Sequence, residues 1–279
     1  MNFLHNYYTI FFLIFFMISS KINIIDIGSV GGYDLPWKNH TQSIDWSLSF
    51  EPNERSVVAG KNLKYDCAVW NFDGEAPFYV SGTEGKGSSL LKQNFDWVQE
   101  NFKSICLEGN QKLNDTWIER SQITKEFLCP VKKLDTILEE LDQSLGKHIP
   151  FHFLKSDTQS GEFFVLEGAK NYLKNDCIGL ELELFRYPLY QNLVTEDEVK
   201  TYLNDLGFDI AGWTGYQNSF ASQADYLFLR KNPRSEEEIK IIRLIKSVYN
   251  PCGSENLIKQ SSFLGRFKSI MKNLVNYTA

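Results

Sequence analysis

The strongest constraint on the fold is an alternation of short apolar segments with amphipathic segments between residues 22 and 230. The first apolar segment, residues 22–27, is rich in isoleucine and ends at Gly28, which is typical of a strand buried on both faces. Later segments, such as residues 134–145, repeat apolar residues every three or four positions and predict helices. This β-α alternation predicts a mostly parallel sheet covered by helices on both faces.

Further strands are predicted at residues 44–50, 63–70, 76–80, 151–155, 177–184, 208–213 and 225–230, with a glycine-rich loop at 82–87. Helices are predicted at 134–145, 162–173, 196–206 and 235–248, and one more at 264–275. Asp135 is the expected N-cap of the first of these helices, and Gly146 its end. We therefore divide the 279 residues into an apolar segment (1–20), an α/β domain (21–231) and a helical extension (232–279).

Charge and cysteine content exclude several classes of protein. The formal net charge is −6 and no basic face is visible, which argues against a nucleic-acid partner. The five cysteines are an odd number and include no CxxC pair, so neither a disulfide framework nor a zinc knuckle is indicated. No cluster of histidines and acids calls for a metal ion. Free thiols fit a reducing cytoplasm.

The N-terminal segment Met1–Ser20 is strongly apolar. Its central run, Ile10 to Ile18, is too short to span a bilayer, and no lysine or arginine precedes it. We interpret the segment as a helix that packs on the domain or as a product of a wrongly assigned start codon. On this interpretation the protein is expected in the cytoplasm. A membrane anchor is the alternative, which would make the protein membrane-associated.

Two groups at the strand ends indicate a nucleoside-binding site. Asp26, Gly28 and Gly31 lie at the end of the first strand, and a glycine at such a turn lets the backbone approach a ligand closely. In doubly wound sheets, ligands bind beyond the carboxyl ends of the strands. Glu51 ends the second strand, where a carboxylate can accept hydrogen bonds from both ribose hydroxyls. The pattern lacks the complete GxGxxG of NAD-binding proteins.

A third group follows the strand at residues 151–155. Lys155, Asp157, Gln159 and Glu162 lie within eight residues, and isolated charges there would carry a desolvation cost. We therefore expect Lys155, Asp157 and Gln159 at the same sheet edge as Gly28 and Glu51. A structural ion pair of Lys155 with Asp157 or Glu162 is the alternative interpretation.

Taken together, these motifs resemble the FkbM family of S-adenosylmethionine (SAM)-dependent methyltransferases. The resemblance covers residues 22–230, and its motifs occur in the family's order. They are IDIGSVGG (25–32), SFEPN (49–53), GKGSSL (85–90), KKLDTIL (132–138), LKSDTQSGEFFVLEGA (154–169), LELELFRYPLY (180–190) and LGFDI (206–210).

The resemblance implies a Rossmann-like class I SAM-dependent methyltransferase fold with a mostly parallel, seven-stranded sheet. It implies that SAM lies across Gly28, Gly31 and Glu51, and that a hydroxyl of a sugar, glycan or secondary metabolite is methylated. The other expected cofactor contacts are Asp26, Ser29, Pro52, Asn53, Ala68, Asp157 and Gln159. The chain departs from the family's Q-G-x-E order, because Gln159-Ser160-Gly161-Glu162 carries its glycine one position later.

Methyl transfer to oxygen needs a group that removes the hydroxyl proton. Asp157 is the first choice for this base, and Glu183 is the second. Lys155, the third expected catalytic residue, could orient an acidic sugar or phosphate, as could Arg186. Tyr187 and Tyr190 are expected either to stack on a substrate ring or to pack within their loop, and His148 and His152 to be structural. The acceptor is expected to be a small molecule or glycan, and the sequence indicates no oligomeric state.

Two other functions stay open from the sequence. A catalytically inactive SAM-fold module, acting as a binding or scaffold protein, is suggested by the exchanged Ser160-Gly161 pair and the unusual N-terminus. An NAD-dependent oxidoreductase ranks third, since Glu51 would suit either cofactor.

Overall fold

Two β-sheets organise the chain, which the computed structural model describes over residues 21–82, 85 and 87–249. The predicted N-terminal apolar segment and the predicted helix at 264–275 lie outside the described residues. Three positions of the predicted glycine-rich loop, 83, 84 and 86, do so as well.

The larger sheet has eight strands in the order β10-β11-β9-β8-β1-β2-β4-β3. These strands are β1 (Ile22–Ile27), β2 (Ile44–Phe50), β3 (Val57–Ala59), β4 (Asn62–Tyr65), β8 (Phe153–Ser156), β9 (Gly179–Phe185), β10 (Phe208–Trp213) and β11 (Gln223–Arg230). The five central strands, from β9 to β4, are parallel. At one side β11 is antiparallel to both β9 and β10. The mostly parallel sheet predicted from the sequence is confirmed.

The sheet holds one strand more than the seven expected, because β3 forms a short antiparallel pair with the edge strand β4. The predicted strand at 63–70 is wrong as a single strand. It divides at Asp66, whose backbone N–H and carboxylate both bond the Ser56 hydroxyl. The chain then leaves the larger sheet and continues as β5 (Ala68–Val69) in the smaller one.

The smaller sheet has the order β5-β7-β6, with β6 at Gly74–Ser81 and β7 at Ile123–Lys132. Strand β7 pairs antiparallel with β6 along almost its whole length. The sequence predicted no strand at β7. Its exposed and buried residues do not alternate regularly, and Pro130 interrupts the run, so no clear period of two was visible.

The described α-helices are α1 (Phe95–Ile105), α2 (Gln111–Asp115), α3 (Trp117–Arg120), α4 (Leu134–Leu145), α5 (Glu162–Glu167), α6 (Lys170–Asn175), α7 (Glu196–Asp205) and α8 (Glu236–Tyr249). Within the described chain, only short 3-10 turns, Trp37–Asn39 and Thr41–Ser43, lie between β1 and β2.

Two helix predictions need correction. The predicted helix at 162–173 is broken at Gly168, where a Cβ atom would lie 1.9 Å from the Trp70 carbonyl oxygen. The N-cap of α4 is Lys133 and not Asp135. The Asp135 carboxylate instead accepts hydrogen bonds from the backbone N–H groups of Asn171 and Tyr172 in the first turn of α6, at 2.8 and 2.9 Å. Gly146 ends α4 in the left-handed conformation, as predicted.

The two faces of the larger sheet are covered by different parts of the chain. Helices α4 to α7 pack on the face that carries Leu48, Phe50 and Leu154. Helix α8 packs on the opposite face, where Ile245 belongs to the same apolar cluster as Ile24 and Phe153. The expected helices on both faces are therefore present, but one face depends on a helix from the C-terminal part of the chain. None of the helices in the described ranges is long and apolar enough to cross a membrane.

His148 links the end of α4 to the end of α6, and this contact makes stability depend on pH. Its ring nitrogens lie 2.6 Å from an oxygen of Asp142 and 3.2 Å from one of Asp176. Hydrogen bonding to Asp142 is the main cause that raises the pKa of His148 above 6.5. The stabilisation is therefore complete below the unfolded-state pKa and is lost as the pH rises through the folded-state pKa.

We predict that His148→Gln lowers the free energy of unfolding at pH 6 but not at pH 9. Because the imidazole is more than half exposed, the loss should not exceed about 0.5 kcal/mol. Urea unfolding at the two pH values measures it. An equal loss at both would mean that the histidine acts by packing rather than by charge.

Candidate active site

The carboxyl ends of β2, β1 and β8 meet at one edge of the larger sheet. The Gly28 N–H donates to the Phe50 carbonyl at the end of β2, at 3.0 Å. On the other side, the Asp157 N–H donates to the Ile27 carbonyl, also at 3.0 Å. The three strand ends that the sequence assigned to one nucleoside site are therefore direct neighbours.

Gly28 is required for a reason that the sequence did not reveal. Its φ is +82°, and a Cβ atom there would lie 2.1 Å from the Asp157 carbonyl oxygen. The glycine thus allows the first strand to pack against the Asp157 backbone rather than only against a ligand. Gly31 and Gly32 also have positive φ, but a Cβ atom at either would meet open space.

Glu51 lies at the end of β2, and one of its carboxylate oxygens accepts a hydrogen bond from the Asn53 N–H at 2.9 Å. Burial raises the pKa of Glu51, and the Asn53 N–H opposes the shift. Pro52 and Asn53 form the turn that follows. Sequence reasoning missed Glu54. Its carboxylate accepts a hydrogen bond from the Gly31 N–H at 3.1 Å and forms an ion pair with Lys64. It ties the glycine loop to β4.

Asp26 and Ser29 are almost fully buried, and each has a side-chain oxygen without a hydrogen-bond partner among the described residues. Both line a cavity of about 460 Å³ that extends over β2 and β4 past Ser49 and Asn62. Glu51 and Asp157 do not line this cavity. Two unsatisfied buried oxygens are costly for the folded protein unless a ligand or water bonds them.

Lys155 lies on the same sheet face as Asp26, its neighbour in register on β1, and precedes Asp157 by two residues. Its ammonium nitrogen lies 3.7 Å from an Asp26 oxygen and 3.5 Å from an Asp34 oxygen. The expected structural alternative, a pair with Asp157 or Glu162, is not the ion pair that forms. Burial alone would lower the pKa of Lys155, but the carboxylates of Asp26, Asp157, Glu181 and Asp34 outweigh it and raise that pKa. Lys155 is therefore a cation and not a base.

Asp157 and Glu183 are joined by the side-chain amide of Gln159. That amide nitrogen lies 2.9 Å from an Asp157 oxygen and 2.6 Å from a Glu183 oxygen. Gln223 donates to the other Glu183 oxygen. The Tyr190 hydroxyl lies 3.3 Å from the Gln159 side-chain oxygen.

Burial and neighbouring acids give this network an unusual proton affinity. Glu183 is buried, and burial followed by the charge of Asp157 raises its pKa well above the usual value. Burial also raises the pKa of Glu162 to about 7, although the Thr158 N–H and hydroxyl both donate to it. Carboxyl groups with raised pKa values can exchange protons near neutral pH, as acid–base catalysis requires.

The family follows from a sequence comparison. The profile of the methyltransferase FkbM domain matches residues 34–210, which is more than half of the chain. The chain belongs to the FkbM methyltransferase family. No curated protein sequence matches the chain.

The solved structures with similarity to the chain include two methyltransferases. FkbM from Methylobacillus flagellatus KT aligns with 11% identity and a TM-score of 0.38, over 75% of this chain and 43% of that protein. The chain therefore spans less than half of the Methylobacillus protein. Sp1610 from Streptococcus pneumoniae, a candidate tRNA (m1A22) methyltransferase, aligns with 14% identity and a TM-score of 0.33, over 86% of this chain and 78% of that one. Its complex with S-adenosyl-L-methionine gives the same identity and TM-score over 92% and 86%.

Several predicted residues of this FkbM-family chain lie apart from the β1–β2–β8 edge. Ala68 is in β5 of the smaller sheet, in an apolar cluster with Trp70 and Val131. Arg186 pairs with Glu108 at 2.6 Å, and its guanidinium stacks on the rings of Tyr187 and Tyr216. Tyr187 thus packs within the protein.

Both histidines have partners within the fold. The His152 ring accepts the Asn23 N–H at 3.1 Å, and burial lowers the pKa of His152, so its ring is neutral. His148 bridges two aspartates, as described above. Across the described residues, no three His, Cys, Asp or Glu side chains come together as a metal site would require.

Sequence reasoning missed two glutamines. Gln223, which bonds Glu183, precedes the predicted last strand, and the buried Gln93 lies six residues after the glycine-rich loop. The Gln93 amide donates to the Gly87 carbonyl at 3.0 Å, which also receives the Tyr190 hydroxyl at 3.1 Å. Glutamine has no spacing signature, so only the fold identifies these residues.

The exchanged Ser160-Gly161 pair creates backbone strain beside Gln159. Gln159 and Ser160 have φ of +54° and +84°, so a serine occupies the left-handed conformation that favours glycine. The Ser160 hydroxyl is buried without a hydrogen-bond partner among the described residues. Gly161 is needed one position later, because a Cβ atom there would lie 2.6 Å from the Trp70 ring.

We predict that Ser160→Gly raises the free energy of unfolding by about 1 kcal/mol. It removes the strain and the unsatisfied hydroxyl, which together exceed the entropic cost of glycine. Gly161→Ala is the matched comparison and should destabilise the protein, since Trp70 is itself packed on Phe164. Denaturant unfolding measures both. A destabilised Ser160→Gly variant would contradict the assigned strain.

Proposed function

We propose that this FkbM-family chain is a SAM-dependent methyltransferase that transfers a methyl group to a hydroxyl oxygen of a small molecule or glycan. The observation that carries the proposal is the joint at Gly28, which brings the ends of the Glu51, Asp26 and Asp157 strands together. We place this activity in the cytoplasm, without a nucleic-acid partner.

The residues at this edge fit the chemical groups of SAM. The unsatisfied Asp26 and Ser29 oxygens would accept hydrogen bonds from the ammonium of its methionine part. Glu51 would bind the ribose hydroxyls through its second carboxylate oxygen. The space beside Gly31 and Gly32 lets the backbone approach a bound molecule. When bound, SAM supplies a methyl group made electrophilic by the adjacent sulfonium.

The charges of the site favour a cationic cofactor. Asp157 lies at this edge and Asp26 on the neighbouring strand β1, while Glu183 adds little charge because burial raises its pKa. Lys155 offsets only part of this negative charge, because Asp26 and Asp34 already flank it. A positive sulfonium would therefore be stabilised by the surplus carboxylates.

Asp157 is the proposed base. Gln159 fixes one Asp157 oxygen by a hydrogen bond, which orients the carboxylate toward the acceptor. Glu183 is held by two glutamine amides and acts as its buried neighbour. A positioned base contributes a rate factor of roughly 10² to 10⁴ in such proton transfers.

A neutral hydroxyl acceptor agrees better with the charges than an acidic one. Lys155 is enclosed by Asp26 and Asp34, and Arg186 is neutralised by Glu108. Each cation is already paired with a carboxylate of the protein, so neither is available to bind an acidic sugar or a phosphate. We therefore propose that Lys155 acts electrostatically within the site and does not contact the acceptor.

The first test compares Glu51→Ala with Asp157→Asn. We predict that Glu51→Ala weakens SAM binding at least about tenfold, since it removes the ribose contacts. Asp157→Asn should leave SAM affinity within about threefold and lower kcat by about 10² or more, because the base is lost. Calorimetry measures the affinity, and methyl transfer to a panel of neutral glycans measures kcat.

Asp197→Ala is the control, because this acid lies exposed on α7. It should change neither quantity. Unchanged SAM affinity in Glu51→Ala would refute the ribose assignment. SAM binding without transfer to any hydroxyl acceptor would favour the inactive binding module, and affinity for NAD without affinity for SAM would favour an oxidoreductase.

A further inference from the structure

Tyr249, at the end of α8, contacts a charged residue of the larger sheet, Glu181, whose neighbour in register is Lys155 of the candidate active site. Its hydroxyl donates to the Glu181 carboxylate and accepts a hydrogen bond from the Trp37 indole N–H at 3.1 Å. The Tyr249 ring also packs against Phe153 of β8 and against Trp37. Residue 249 lies outside residues 34–210, which match the family profile.

Glu181 is one end of a row of charges across three neighbouring strands. Lys155 of β8 is paired in register with Glu181 of β9 on one side and with Asp26 of β1 on the other. The Lys155 ammonium lies 3.7 Å from the Asp26 carboxylate, and both side chains are buried. The two acids therefore compete for one cation.

We propose that Tyr249 is a positioning residue for the cofactor site: by holding Glu181, it keeps the Lys155 ammonium close to Asp26 and so keeps Asp26 ionised. The inference rests on the proposed function, because Asp26 is the residue assigned to the ammonium of SAM.

The direction of the effect follows from the hydrogen-bond donors. Burial raises the pKa of Tyr249 well above its usual value, so the phenol stays protonated and donates to Glu181. Without that donor, Glu181 would take its hydrogen bond from Lys155 and draw the ammonium away from Asp26. Burial already raises the pKa of Asp26, and Lys155 opposes this rise. A weaker Lys155 contact would therefore raise the pKa of Asp26 further.

Other charged groups act on these residues and stay in place in the variants below. Asp34, from the loop after β1, and Asp157, from the end of β8, act on both Asp26 and Lys155. Asp225 of β11 acts on Tyr249. Because these groups are unchanged, a shift in the titration of Asp26 reports the hydrogen bond from Tyr249 to Glu181 and the effect of the Glu181 charge on Lys155.

The test is Tyr249→Phe in the full chain, which keeps the ring and removes the hydroxyl. SAM affinity is measured by calorimetry from pH 5 to pH 9, and the Asp26 carboxyl is titrated by carbon-13 NMR without SAM. Because an ionised Asp26 binds the ammonium, affinity falls as the pH drops through the pKa of Asp26. We expect this loss, and the NMR midpoint, to move upward by roughly 0.5 to 1 pH unit in the variant.

Tyr226→Phe is the matched control. Tyr226 also donates to a carboxylate, that of Glu196 at 2.9 Å, and is buried, but it lies outside the row of charges. Its loss should leave both midpoints unchanged. A shift of the same size in Tyr226→Phe would overturn the proposal, because it would reveal a general effect of removing a buried hydroxyl.

Glu181→Gln provides a second variant with the opposite expected sign. Removing this competing carboxylate leaves Lys155 to Asp26, so both midpoints should move downward. Midpoints that do not move, or that move in the same direction in Tyr249→Phe and Glu181→Gln, would overturn the proposal. If the unmutated protein binds no SAM, the proposed function fails, while the NMR midpoints still decide the role of Tyr249.

Discussion

The contact between the Gly28 backbone and the Asp157 carbonyl is the constraint on which the rest of the site depends. A Cβ atom at Gly28 would lie 2.1 Å from that oxygen, so only glycine allows β1 and β8 to end side by side. This joint places Glu51 on one side of Gly28 and Asp157 on the other. The glycine loop can then leave the sheet beside Asp26 and Ser29, whose buried oxygens are without partners among the described residues.

The contact at Gly28 brings the carboxyl groups of Asp26 and Asp157 to one edge of the sheet, and neighbouring side chains stabilise the acids there. Gln159 and Gln223 donate hydrogen bonds to Glu183, and the Lys155 cation lies 3.7 Å from Asp26. Unpaired buried charges are expensive, so an arrangement with surplus carboxylates is informative about function. Backbone strain at Gln159 and Ser160 belongs to the same arrangement, because this turn directs the Gln159 amide toward both acids.

Membership of the FkbM family and the observed sheet support one another, and each shows something different. The family match covers residues 34–210 and shows that the chain belongs to the FkbM methyltransferase family. The structure adds that part of the support for the site lies beyond this region. Helix α8 covers the sheet face that carries Asp26 and Lys155, and Tyr249 from this helix bonds Glu181. Helix α8 therefore packs against the sheet face that carries these charged residues.

The sequence by itself determined the parallel sheet, most of its strands and the edge at which Gly28, Glu51 and Asp157 meet. These features depend on local periodicity and on the rule that ligands bind at the carboxyl ends of strands, and both can be read from neighbouring residues. Only the tertiary structure decided that Lys155 faces Asp26, that Asp135 caps another helix and that Gln223 and Tyr249 donate hydrogen bonds to the acids. These are contacts between residues distant in the chain, and nothing in the local pattern of either partner specifies the other.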